Sequence, residues 1–297
     1  MVERNSISRI IFLAFAYILT AVLALTCLLP IIHTLALSLS GKAAVTAGLV
    51  SFFPLDFNLT AYKAIVEDKQ YFTSFFVSVL RVIVGVFLQM LFTVLMAYPL
   101  SKSTRIFKKR NLYMWYLVFT MLFGGGLIPY YILLSKMHMI DTFLALVLPC
   151  AVPIFNVIVL MNYFKGLPDE LSEAARIDGA SPWTVLFRIF LPISIPCLAT
   201  LALFSMVGHW NNFFDGLILI ESPSKLPLQS YLKMFIIDTN AYTTPNMTPE
   251  QLQRVQDLTS SNFNAAKLII SMIPVLVVYP FLQKYFVSGL VMGSVKG

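Results

Sequence analysis

The chain has 297 residues, 58% of them hydrophobic and only 12% charged, with a formal net charge of +7. Soluble domains average about 45–50% apolar and about 25% charged residues, so this chain has too few charges to clothe a water-facing surface. That excludes an ordinary soluble globular fold and sets aside nucleic acid as the reason for the positive balance.

A spanning helix needs about 20 mostly apolar residues. Six segments qualify, at about 10–38, 73–100, 111–134, 142–164, 191–220 and 265–287. The first follows Arg4 and Arg9, as a signal peptide would, but the uncharged run from Ile10 to Leu29 is longer than an h-region of about 7–15 residues. It is therefore read as a retained span. Residues 39–72 form a long loop with turn formers Pro54, Asp56 and Asn58. The second span contains Arg81, which either pairs with Asp215 or snorkels to the interface. After it comes the compact basic run Lys102, Arg105, Lys108, Lys109 and Arg110.

The third span is interrupted by Phe123-Gly-Gly-Gly-Leu-Ile-Pro129. Gly124 to Gly126 read either as a hinge or as a place of close helix packing, and packing is preferred. Asn156 and Asn162 are polar groups in the fourth span. The loop 165–190 reads as two short helices. Pro168, Asp169 and Glu170 suit the first turn of one, and Leu171, Ala174 and Ala175 form its apolar face. Gly179 ends that helix in the left-handed conformation, and Ser181-Pro182 caps a second with Trp183, Leu186, Phe187 and Phe190 on one face. The fifth span carries Trp210, Asn211, Asn212 and Asp215. Those amides either line a solute path or bond a neighbouring helix. The loop 221–264 includes a predicted surface helix from Thr248 to Asp257, and its length favours a docking role over a passive connector. A tail, 288–297, closes the chain.

With the N-terminus placed in the cytoplasm, twelve Lys and Arg fall on inner segments and eight on the much longer outer ones. The short run Lys102 to Arg110 dominates this asymmetry. The expected fold is an all-α integral membrane protein with six spans, N-in and C-in, in a single domain over 1–297. No H-E-x-x-H, G-x-S-x-G or G-x-x-x-x-G-K-[ST] pattern occurs. Cys27, Cys150 and Cys197 form no C-x-x-C pair, and His33, His138 and His209 are scattered. No catalytic residue, metal ligand or bound cofactor is expected.

Glu173-Ala174-Ala175, with Gly179, Ile189, Leu191 and Pro192 six, sixteen, eighteen and nineteen residues after the Glu, resembles the EAA signature. That signature marks permease subunits of binding-protein-dependent ABC importers. The form Asp178-Gly179-Ala180 looks like the carbohydrate-uptake branch, and residues 284–297 are similar to the end of the second permease of maltose-type importers. The resemblance implies a type I importer fold in the bacterial plasma membrane, a second permease, two ATP-binding subunits and an extracytoplasmic solute-binding protein. ATP and Mg would be used by the partner ATPases. Glu173 would anchor to a basic residue of the ATPase, Ala174 and Ala175 would pack on it, and Asp178 and Gly179 would shape the turn. Gly293, Lys296 and Gly297 would reach between the ATPases. Trp210-Asn211-Asn212-Phe213 resembles the family's W-N-x-F element, which with Asp215 and Asn156 gives a candidate substrate path for oligosaccharides or polysaccharide fragments. A different small solute in the same family, or a self-sufficient secondary transporter, are the alternatives. The latter would want more mid-membrane ionisable groups than Arg81 and Asp215.

Overall fold

The computed structural model describes residues 7–237 and 260–294, with side chains for 7–234 and 261–280. All regular structure among the described residues is helical. In chain order the helices are α1 (Ile7–Ser38), α2 (Lys42–Thr46), α3 (Thr60–Glu67), α4 (Lys69–Ser101), α5 (Arg110–Leu122), α6 (Leu127–Lys136), α7 (Phe143–Val147), α8 (Ile154–Lys165), α9 (Asp169–Ile177), α10 (Pro182–Val185), α11 (Leu191–Ile193), α12 (Ile195–Asn211), α13 (Phe214–Leu219), α14 (Leu228–Ile237) and α15 (Ser260–Ser294). The expected helix at 248–257, and Lys296 and Gly297, lie outside the described residues. Gly293 falls within α15.

By length and composition three helices can cross a membrane, and five spans result if each sharply bent pair counts as one. The differences from six unbroken segments have local causes. The segment expected at 142–164 is split into α7 and α8, because Pro149 and Pro153 remove backbone donors and clash with a continuing helix. The third segment bends by 112° between α5 and α6. Among the described residues no neighbour lies within 4 Å of a Cβ built at Gly124 or Gly125, so these glycines make no close packing contact with those residues, and Gly126 takes φ +84°. The fifth bends by 81° at Ser194, between Pro192 and Pro196, and breaks again at Asn212 and Phe213.

The chain divides into two compact units, Met1–Asp68 with Met234–Met272 and Lys69–Lys233 with Ile273–Gly297. In the first, α1 buries only Ala36 and Ser38 and is apolar all round, as suits a helix facing lipid or another chain. The segment after it is folded. Gly41 N–H donates to Leu55 O at 2.9 Å, Asn58 N–H to Leu39 O at 3.0 Å, and the Asn58 side chain caps Thr60 N–H at 3.0 Å. Lys267 is buried, with Nζ 3.3 Å from Asp68 Oδ2 and 4.2 Å from the centre of the Phe263 ring.

The second unit is built on α4, which packs against α8 and α12. Its buried face runs Tyr71, Ser74, Ser78, Arg81, Gly85, Gln89, Thr93, Ala97 and Leu100. Polar and small residues thus face inward at helical spacing, while Phe76, Leu80, Ile83 and Phe87 are exposed. A water-soluble helix has the reverse pattern. In a bilayer it is expected, since lipid rewards apolar surface and small residues let helices approach. Val94, Ala97 and Leu100 join Leu160, Phe164, Leu186, Phe190, Cys197 and Leu201 in the main core.

Candidate functional site

Helix α9 starts after Pro168, with Asp169 and Glu170 in its first turn and Arg176 in its last, matching the helix dipole at both ends. It ends in a Schellman motif. Gly179 N–H donates to Arg176 O at 3.0 Å and Ala180 N–H to Ala175 O at 2.9 Å, with Gly179 at φ +79°. Ser181 then caps the next helix, its Oγ accepting from Thr184 N–H at 3.2 Å.

The inward face of α9 is Ser172 and Ala175 rather than the Leu171, Ala174, Ala175 set, because the helix sits on the unit's core with Ala175 toward it. Glu173, Ala174, Arg176, Ile177 and Asp178 are exposed. The two alanines therefore face different sides of α9, Ala175 inward and Ala174 outward. The second helix also divides: Leu186 and Phe190 are buried, while Trp183 and Phe187 stack on each other at 6.0 Å and are exposed. A π-helical turn over Leu186–Phe190 accompanies the split.

Beneath the loop, Tyr98, Phe164 and Phe190 form an aromatic triangle with centroid separations of 5.4, 5.4 and 6.3 Å. Lys102 Nζ lies 4.5 Å from the Tyr98 centroid and 4.2 Å from that of Phe190, and donates to Ser172 Oγ at 3.4 Å. Burial pushes the Lys102 ammonium below its ordinary range, Arg176 adds to the shift, and Asp169 opposes it. The end of α4 is thus tied directly to α9.

The second constellation surrounds Arg81. Its Nε donates to Leu146 O at 3.1 Å, Nη1 to Asn212 O at 2.9 Å and Nη2 to Asp215 Oδ2 at 2.7 Å. Asn212 Nδ2 donates to the same carboxylate oxygen at 2.7 Å, and Asp215 N–H to Asn212 Oδ1 at 3.2 Å. Broken helices leave carbonyls without intrahelical partners, and a bilayer supplies no water to meet them. Arg81 serves the break after α7 and the break after α12 at once. Gln89 Nε2 does the same for Cys150 O at 2.8 Å. Arg81 pairs rather than snorkels.

A cavity of about 280 Å³ lies beside this node, lined by Gln89, Cys150, Asn156, Ser205, His209 and Asn212 among others. Of the residues expected on a substrate path, Asn156 and Asn212 line it. Trp210 is buried edge-on against Phe75 at 5.8 Å, Asn211 is exposed, and Asp215 is held by Arg81. Gln89, Ser205 and His209 were not anticipated, although Gln89 lies eight residues after Arg81 on the same polar face and was visible as a polar residue inside a span.

Asp141, at φ 57°, organises a further junction. Its carboxylate accepts from Ser222 Oγ at 2.6 Å, Ser222 N–H at 2.8 Å, Glu221 N–H at 3.1 Å and Lys225 Nζ at 2.8 Å. These donors, Lys225 first, hold its carboxyl well below the usual carboxylate range.

The chain is similar to several known proteins. Protein LplC of Bacillus subtilis (strain 168) is 40% identical over 275 residues, covering 91% of this chain and 90% of that protein. The polygalacturonan/rhamnogalacturonan transport system permease protein YtcP of the same organism is 36% identical over 281 residues, covering 92% and 94%. Among solved structures, a chain of a bacterial ABC transporter involved in the import of the acidic polysaccharide alginate superimposes with a TM-score of 0.86 at 32% identity, covering 96% of this chain and 100% of that one. The family model described as binding-protein-dependent transport system inner membrane component matches residues 4–292, and the chain belongs to that family.

Proposed function

We propose that this chain is one of two permease subunits of an ATP-driven carbohydrate importer in the bacterial plasma membrane. It forms a single transmembrane domain of six spans, N-in and C-in, with the α9–α10 loop in the cytoplasm. The observation that carries the reading is that loop: a helix whose Glu173 and Ala174 face outward while Ala175, Leu186 and Phe190 root it in the core. An exposed small residue beside a carboxylate suits close docking of another protein, here one of two ATP-binding subunits that use ATP and Mg. Asp178 and Gly179 set the loop's exit, and Gly293, Lys296 and Gly297 reach the same partners.

The Lys102 and Tyr98–Phe190 contacts give a short route by which a pull on α9 reaches α4. The segments 39–72 and 221–264 dock an extracytoplasmic solute-binding protein. The cargo is an oligosaccharide or polysaccharide fragment. This is supported by the polygalacturonan/rhamnogalacturonan and alginate systems to which the chain is similar. Cargo chemistry is not performed by this chain, which moves its solute unchanged.

The test uses Glu173→Lys in the assembled importer. It should still insert and co-purify with the second permease, while carbohydrate uptake falls at least tenfold and the ATPases bind less tightly. Normal uptake by this variant rules the docking role out.

A further inference from the structure

We propose that the corner between α4 and α5 binds the headgroup of an anionic phospholipid of the inner leaflet, whose acyl chains then lie along α5. This rests on the inward placement of that connection proposed above, and not on the cargo. No Asp or Glu occurs between Asp68 and Asp141, whereas five Lys and Arg fall between Lys102 and Arg110. Arg105, Lys108 and Lys109 are exposed, and their side chains make no hydrogen bond or ion pair with any described residue. Each Lys or Arg held near an anionic membrane surface strengthens the attraction about fivefold.

The corner has a defined backbone. Ile106 N–H and Phe107 N–H both donate to Ser103 O at 3.0 Å, and Arg110 N–H donates to Phe107 O at 3.0 Å. Phe107 stacks on Tyr113 with ring centroids 5.5 Å apart. Arg110 Nε donates to Leu100 O at 2.7 Å, which ties the start of α5 to the end of α4. A further cation comes from α8, whose last residue, Lys165, lies close enough to Arg110 for the two charges to repel. An anion seated at this corner relieves such repulsion.

The order of side chains along α5 selects a lipid. Lys109, Leu112, Tyr116, Phe119 and Phe123 recur at intervals of three and four and so share one face, with Trp115 beside it. Trp115 is 73% exposed and Tyr116 65%, and the buried residue of α5 is Leu117, off that face. The rise from Lys109 to Tyr116 is about 10 Å. From the surface inward a phospholipid presents phosphate, then esters, then hydrocarbon. The helix presents cations, then the Trp115 and Tyr116 rings suited to the interface, then the stacked Phe119 and Phe123. An acidic protein segment would satisfy the cations, but nothing in it calls for that sequence of chemistries.

The test uses the assembled importer in phosphatidylcholine vesicles doped with phosphatidylglycerol or phosphatidylcholine carrying a diazirine beside the acyl ester. After photolysis, adducts are located by peptide mass spectrometry. Residues 105–123 should take at least fivefold more adduct from phosphatidylglycerol, and excess soluble glycerol phosphate should leave that unchanged. Equal labelling by the two lipids, preference confined to other segments, or full competition by glycerol phosphate, which would mark a free-phosphate site, overturns the proposal. The variant Arg105→Gln with Lys108→Gln and Lys109→Gln keeps Lys102 and Arg110 for orientation. It should lose the preference and retain the second permease and the ATPases. An inserted variant that sheds either partner makes the corner a protein interface, and one that keeps the preference removes these cations from the site; both outcomes sink the proposal. Should the variant fail to insert, the wild-type map decides alone. The inward placement fails separately, if Ser103→Cys reacts with an impermeant thiol reagent added outside the cell. A cargo other than carbohydrate leaves the lipid site standing.

Discussion

Arg81 Nη2 lies 2.7 Å from Asp215 Oδ2, and the arginine is fully buried. The pair is half of the relationship, because Arg81 also donates to Leu146 O and Asn212 O. Arg81→Met should cost about 3–5 kcal/mol, the range for leaving one partner of a buried ion pair alone. The charge swap, Arg81→Asp with Asp215→Arg, should not recover that loss, because an aspartate at position 81 donates to neither carbonyl. Thermal unfolding in detergent measures both. Full recovery by the swap would reduce Arg81 to a simple counter-ion.

Gly85 and His209 touch so closely that a Cβ on Gly85 would collide with the imidazole ring. Overpacking of this kind costs about 1–3 kcal/mol. Gly85→Ala should therefore lower the unfolding temperature. His209→Ala should restore most of the loss in the double variant, since the two sites share one space. An additive double-variant cycle would show that the clash is relieved elsewhere.

Gly179 is constrained by conformation and not by room, since nothing lies within 4 Å of its Cβ position and φ is +79°. A left-handed Cβ residue costs about 1–2 kcal/mol, with asparagine the best tolerated. Gly179→Ala should loosen the turn after α9 and lower transport per ATP hydrolysed, with Gly179→Asn between it and wild type. Identical coupling ratios in all three would remove the turn from the mechanism.

Asp141 sets a pH dependence whose sign follows from its partners. Its carboxyl is held below the ordinary value of about 3.9, chiefly by Lys225. The clamp on Ser222 and Lys225 should thus be fully present above about pH 4 and weaken as the pH falls further toward the folded-state value. A spin label at Ser224→Cys should stay restricted from pH 7 to about pH 4 and gain motion below. In Asp141→Asn it should already be mobile at pH 7. A label equally restricted in both proteins at pH 7 would dismiss the clamp.

The long helices α1, α4 and α15 were legible because uninterrupted apolar runs leave few alternatives. The caps of the α9 loop were legible too, since Gly179 and Ser181 are dictated by local backbone needs. The division of Ala174 from Ala175, and of Trp183 and Phe187 from Leu186 and Phe190, was not. Each depends on which side meets the core, and that is set by α4 and α8, distant in sequence. The break between α7 and α8 was marked by Pro149 and Pro153, but overall hydropathy masked it. The role of Arg81 could be narrowed to pairing or snorkelling, while its two carbonyl partners belong to breaks that only the fold reveals.

Along α4, Arg81 holds a carbonyl near the end of α7 and Gln89 one in the segment between α7 and α8. A residue inserted between them would turn one half of the helix by about 100° against the other and carry one of these donors off its carbonyl. This stretch is therefore locked in length as well as in composition. Conservative exchanges on its exposed side can accumulate, but a single insertion or deletion cannot, so natural length variation should fall in the connections flanking α4 and never between these two side chains.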